Sequence, residues 1–238
     1  MHFDDAQCVA ERNYGSEKSP LYFALKQPAL GDVMQVDIIE SGYTGAATQL
    51  DGRVQFDGRD PIKVSVLRFA PPKQKFRVHM MNVPLKQFDA SRTASSLQIT
   101  APGLSEDLAL SKLGPLLDVM DQCVADLRKV WNVRASAETA SSVRDDAKGD
   151  LRRLFSSDDY PWDSVINGEA GDVRVVLLVN EQGRVADCSV VQTSGVALLD
   201  AQSCSVLKER AKFVPAIGKD GKPAKDAFVQ KINWRVSY

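Results

Sequence analysis

Apolar and polar positions along the first hundred residues alternate in short runs. Leu21–Leu25, Met34–Ile38, Gly52–Phe56, Ile62–Phe69 and Phe76–Met81 each carry the period-two pattern of a half-buried strand. Turn-forming pairs separate them: Gly31-Asp32, Asp51-Gly52, Asp57-Gly58 and Pro71-Pro72. Strands at this spacing predict a small antiparallel sandwich or partly closed barrel from about Cys8 to Gln98.

The period then changes. Leu113, Leu116, Leu117, Met120, Val124, Leu127 and Trp131 recur at helical spacing, and Pro115 falls where a first turn tolerates it. The spacing predicts a helix over 113–131 packed on the strands. From Arg134 to Gly149 there is no aromatic residue, no Leu and no Pro, the composition of a linker, with a polar helix as the alternative. Ser141-Ser142, Asp145-Asp146, Ser156-Ser157 and Asp158-Asp159 extend that polar character. The domain organisation expected is a β-rich domain over 1–133, a polar linker over 134–155 and a second domain over 156–238.

In the second domain Val173–Val179 is a strand apolar on both faces. Glu181-Gln182-Gly183 is a hairpin turn, and Arg184–Gln192 is the returning strand, ended by Ser194-Gly195. Asp200 reads as the N-cap of a helix over Ala201–Lys212. Asp220-Gly221-Lys222-Pro223 is a turn before the last strand. That strand places Phe228, Ile232, Trp234 and Val236 on one side, with Val229, Lys231, Asn233 and Arg235 on the other. The fold class expected is α+β: an antiparallel β-rich domain closed by a helix, then a three-stranded antiparallel sheet packed with one or two helices. Such an open sheet leaves an edge able to accept an extended peptide.

Charge and cysteine content narrow the partners and the compartment. The chain has 238 residues and a net charge of −1, without the basic bias of a nucleic-acid-binding protein. No apolar run reaches the length of a membrane span. The opening Met-His-Phe-Asp-Asp reads as a mature domain with an added start Met, which implies an export segment removed before Phe3. Cys8, Cys123, Cys188 and Cys204 form no CxxC, and only His2 and His79 accompany them, a poor zinc set. Four cysteines allow three pairings. With two domains the natural one is Cys8–Cys123 with Cys188–Cys204, which places the protein in an oxidising compartment; four buried thiols in a cytosolic protein is the alternative. His79-Met80-Met81 offers soft copper ligands but alternates as a strand core does. No phosphate-binding, dinucleotide-binding or nucleophile-elbow motif is present. The expectation is a binding protein, not an enzyme, with no catalytic residue, metal or cofactor.

Several motifs come in a characteristic order: Tyr160-Pro161, Gly171-Asp172-Val173-Arg174-Val175, Gly183-Arg184-Val185, Ser194-Gly195, Leu199-Asp200, Ala211-Lys212-Phe213-Val214-Pro215-Ala216 and Lys231-Ile232-Asn233-Trp234. This stretch, about 150–238, resembles the TonB C-terminal domain family. Asp158-Asp159 stands where that family often has Gln-Pro, and the helix after Tyr-Pro is shortened to Trp162–Gly168. The resemblance implies a periplasmic protein that binds outer-membrane transporters or other envelope proteins by strand addition. The partner-binding segment it implies is Ala227, Phe228, Val229, Gln230, Lys231, Ile232, Asn233, Trp234, Arg235 and Val236, with Tyr160 and Pro161 opening the domain. Pairing of the same strand in a homodimer is the competing use of that edge. An inner-membrane anchor in a longer precursor would make the protein an energy transducer, and an exported form would act as an adaptor. A second expectation is an exported ligand-binding or sensing protein whose N-terminal β-domain takes a small molecule or glycan.

Overall fold

The computed structural model describes residues 2–4, 7–42, 47–71, 74–133, 143–151 and 153–236. Two compact units share the chain. The first takes in Cys8–Gln27 and Asp32–Cys123; the second takes in Pro28–Gly31 and the chain from Val124 onward.

The first unit is built on one nine-stranded sheet. Its strands are β1 (His2–Asp4), β2 (Gln7–Asn13), β3 (Leu21–Pro28), β4 (Val33–Ser41), β5 (Thr48–Phe56), β6 (Ile62–Phe69) and β7 (Phe76–Pro84), then, after α1 (Leu85–Ala90), β8 (Ser96–Ala101) and β9 (Leu104–Ala109). The order across the sheet is β1-β2-β3-β4-β7-β6-β5-β8-β9. The pairings from β3 to β9 are antiparallel. The sheet curls on itself: the Tyr14 hydroxyl, just past β2, donates to the Ala109 carbonyl at the end of β9 at 2.8 Å. Of the two forms the strand spacing suggested, a sandwich or a partly closed barrel, this single curled sheet is the second. Pro71 of the Pro-Pro turn is described and Pro72 lies outside the described residues.

Alternation decides what this sheet buries. Met34, Val36 and Ile38 of β4 line the core with Met81 and Val83 of β7 and Val54 and Phe56 of β5. Helix α2 (Leu113–Val130) adds Leu113, Leu117 and Met120, all buried. A disulfide ties Cys8 on β2 to Cys123 on α2, closing a loop of 115 residues. Constraining a loop of that length is worth about 4–5 kcal/mol in the chain-entropy treatment.

After residue 133 the described chain of the second unit resumes at strand β10 (Val143–Asp145). After a 3₁₀ turn at Ser157–Asp159 come α3 (Trp162–Ile166), β11 (Gly171–Val179), β12 (Val185–Gln192), α4 (Ala197–Arg210), β13 (Ala216–Gly218), β14 (Pro223–Ala224) and β15 (Asp226–Trp234). The main sheet has the order β12-β11-β15, all antiparallel, and a smaller one has β10-β13-β14. Val173, Val175, Leu177 and Val179 of β11 form the core floor with Ile232 and Trp234 of β15, under Leu199 and Leu207 of α4. A disulfide joins Cys188 on β12 to Cys204 on α4. Its 16-residue loop is worth about 3 kcal/mol, useful under so thin a core. Gly183 turns β11 into β12 with φ of +72°, and an added Cβ there would strike the Phe213 carbonyl oxygen.

Two boundaries differ from the sequence reading. Helix α4 starts at Ala197, capped by Val196, so Asp200 is inside its first turn. Ala197, Leu198 and Leu199 favour helix, while the Asp200 carboxylate folds back to accept from the Ser194 amide at 2.9 Å, the Ser194 hydroxyl at 2.7 Å and the Thr193 hydroxyl. Burial pushes the Asp200 carboxyl up despite those bonds. The span 134–155, expected to be linker, also carries structure. Residues 134–142 lie outside the described set, Ser141 and Ser142 among them, but Val143–Asp145 is a strand. Ala147 belongs to the buried core, with Leu151, Leu154 and Phe155 packed against it. Those four apolar side chains, scattered among polar ones, have no period a sequence reading can use.

Candidate interaction edge at strand β15

Strand β15 owes its place to its own alternation. Its register on β11 runs from Gly171↔Trp234 to Val179↔Asp226 without a break. Phe228, Ile232 and Trp234 turn to the core, while Ala227, Val229, Lys231 and Asn233 turn to the other face. The Trp234 indole donates to the Ser203 hydroxyl at 2.9 Å, which donates in turn to the Leu199 carbonyl at 2.8 Å. A buried indole N–H is thereby satisfied against α4.

Among the described residues no strand pairs with the outer side of β15. Two side-chain contacts show which backbone groups point outward. Asp226 Oδ1 accepts from the Ala227 amide at 2.9 Å, and Gln230 Nε2 donates to the Lys231 carbonyl at 2.6 Å. Amide and carbonyl of one residue point the same way in an antiparallel strand, and the direction alternates. The outward set is therefore Ala227, Val229, Lys231 and Asn233. Val229 is 47% exposed, unusual for a β-branched residue on a packed sheet.

Segment 147–160 flanks this edge. The Ala147 amide donates to Asp226 Oδ2 at 2.8 Å, where β15 begins. Gly149, Asp150 and Leu151 line a shallow depression of about 320 Å³ with Gln230. Phe155 and Tyr160 meet the Trp234 ring edge-to-face, at 5.5 and 5.1 Å.

Tyr160 is extended, as the residue before a proline must be, and its hydroxyl donates to the Glu169 carbonyl. Pro161 opens α3, its carbonyl accepting from the Val165 amide. Tyr160 thus braces the end of β15, and Pro161 starts the helix that follows. Asp159 belongs with them. Its carboxylate makes a two-pronged pair with Arg210 at the end of α4, at 2.7 and 2.9 Å, and caps Ser156. The Arg210 guanidinium holds that carboxyl below the usual range.

Ala227 to Trp234 lie on β15, but Arg235 and Val236 of the expected segment follow its end. The ladder stops because Trp234 pairs with Gly171, the first residue of β11. Arg235 instead donates to the Asp172 carboxylate at 2.7 Å and to the Gly171 carbonyl. Lys231 and Asn233 also reach Asp172, at 2.8 and 2.7 Å, and together hold its carboxyl far below the ordinary carboxylate range. Asp172 and Arg174, read in the sequence only as part of the Gly171–Val175 motif, join this edge because the cross-strand register brings them to β15.

His79 and Met81 sit in the core of β7, and no group of three His, Cys, Asp or Glu side chains is placed to hold a metal among the described residues. No helix of the described residues is long and apolar enough to cross a membrane. No curated protein matches the chain in sequence. Residues 157–236, from the 3₁₀ turn through α3, α4 and β15, match the family of the Gram-negative bacterial TonB protein C-terminal, a protein-interaction domain of envelope proteins, and this third of the chain carries that domain.

Proposed function

We propose that the protein is a periplasmic TonB-like protein that binds outer-membrane transporters, or other envelope proteins, by adding an extended segment of the partner to the outer side of β15. The observation that carries this reading is an edge that no strand among the described residues pairs, with an exposed Val229 and outward backbone groups at alternate residues, in a domain matching the TonB C-terminal family. Main-chain hydrogen bonds supply affinity in this mode, and alternate side chains supply selection. Coupling or scaffolding of transport follows from holding such a partner. The disulfides Cys8–Cys123 and Cys188–Cys204 support an oxidising compartment, the periplasm in a Gram-negative cell.

Titration of peptides from the N-terminal segments of outer-membrane transporters into the full chain tests this, read by fluorescence anisotropy with sedimentation of the free protein alongside. Saturable binding by a monomer supports the reading. A stable dimer that pairs β15 with its own copy and takes no peptide contradicts it.

A further inference from the structure

Arg174 and Lys231 stand directly opposite each other across the β11–β15 ladder, and both are exposed. Like charges in that relation destabilise an antiparallel pair. The next pair on the same face is Asp172 and Asn233, and the single carboxylate there is shared by Lys231 and Arg235. Two cations, Lys231 and Arg235, pair with that one carboxylate, and Arg174 faces Lys231 across the ladder, an excess of two positive charges. Lys231 and Arg235 keep 53% and 59% of their side-chain surface in solvent, so both have coordination to spare. On the β12 side Arg174 meets only the neutral Gln192. Toward the start of β15 the same face turns apolar, with Val176 opposite Val229 and Leu178 opposite Ala227.

We propose that β15 selects an acidic extended strand: a peptide carrying a carboxylate side chain beside Lys231 and an apolar side chain beside Val229. This rests on strand addition at β15. Val229 and Lys231 are two residues apart, so the strand needs its apolar and acidic residues two apart as well, on one face. The carboxylate would sit within reach of Lys231, with Arg174 and Arg235 adding longer-range attraction. It relieves the repulsion between Arg174 and Lys231, which the free protein meets with Asp172 alone. The core-side face of the same strand would lie toward the depression lined by Gly149, Asp150, Leu151 and Gln230.

The test uses the full chain and three peptides of about eight residues, a common strand length. They are identical except for one position, Glu, Gln or Lys, placed two residues from a Val. Expected affinities fall in the order Glu, Gln, Lys, with about 5-fold between Glu and Gln at low salt and little difference at about 0.5 M salt. Lys231→Glu should reverse the order to favour Lys; it removes the Arg174–Lys231 repulsion and the Lys231–Asp172 pair together, so thermal melting of the variant is run alongside to show that it folds. Asp172→Asn should widen the preference for Glu. Equal binding of all three peptides would overturn the charge selection while leaving strand addition intact. An unchanged order in Lys231→Glu would overturn the placement of the carboxylate. No binding by any peptide would overturn both the selection and the reading beneath it.

Discussion

Trp234 shows how one residue fixes the position of the edge. It fills the core, meets Phe155 and Tyr160 edge-to-face and donates to Ser203, so the end of β15 is held from α4 and from segment 155–160 at once. Trp234→Ala should cost about 3–5 kcal/mol, measured by denaturant unfolding, and should weaken peptide binding through loss of the strand's position. His79 gives the first unit a separate signature. Its ring is fully buried, both nitrogens lack a hydrogen-bond partner, and Glu40 Oε1 lies 3.4 Å from Nε2. Burial pulls its pKa down, the nearby Arg77 and Arg68 pull the same way, and Glu40 opposes them. A histidine depressed in the folded state contributes stability that is present above its unfolded value, near 6.5, and lost as pH falls below it. Melting temperature should therefore drop as pH falls below about 6.5, and His79→Asn should flatten that slope relative to the parent. Asp159 and Asp172, held low, lose their contribution only in the range below about pH 4.

At the scale of elements, the strand edge makes opposite demands at neighbouring positions. Proline removes an N–H and is tolerated on an edge only where that N–H faces outward. Val229→Pro should leave the β11–β15 ladder and the melting temperature nearly unchanged and abolish peptide binding. Gln230→Pro removes an amide directed at β11 and should destabilise the domain by several degrees. The pair of variants, followed by thermal melting and anisotropy, checks the outward set assigned to β15. Much of this element was readable beforehand, because Phe228, Ile232 and Trp234 alternate with Val229, Lys231 and Asn233. Its end was not, because the stop at Trp234 depends on where β11 begins. The start of α4 was misplaced for a related reason: Asp200 is a good cap by type, but its carboxylate is occupied by Thr193 and Ser194 of the preceding loop.

At the scale of the whole molecule, the α+β class followed from period-two runs giving way to helical spacing, and the TonB-like third followed from the order of its motifs. The nine-stranded order, with β7 between β4 and β6, did not, since strand pairing between distant segments leaves no mark in local alternation. Nor did the packing of 147–155, whose apolar residues follow no period. The two disulfides should make both units sensitive to reductant, and no free thiol should react with alkylating agent in the unreduced protein. Intact mass after alkylation, with and without reduction, reads this directly. The central claim is that a partner's segment becomes the fourth strand of the β12-β11-β15 sheet. Amide hydrogen exchange of the full chain with and without a bound transporter peptide tests it most directly. Strand addition predicts new protection at the amides of Val229, Lys231 and Asn233, with those of Gln230 and Ile232 unchanged. Peptide binding that leaves the three odd-numbered amides exchanging as fast as before would contradict it.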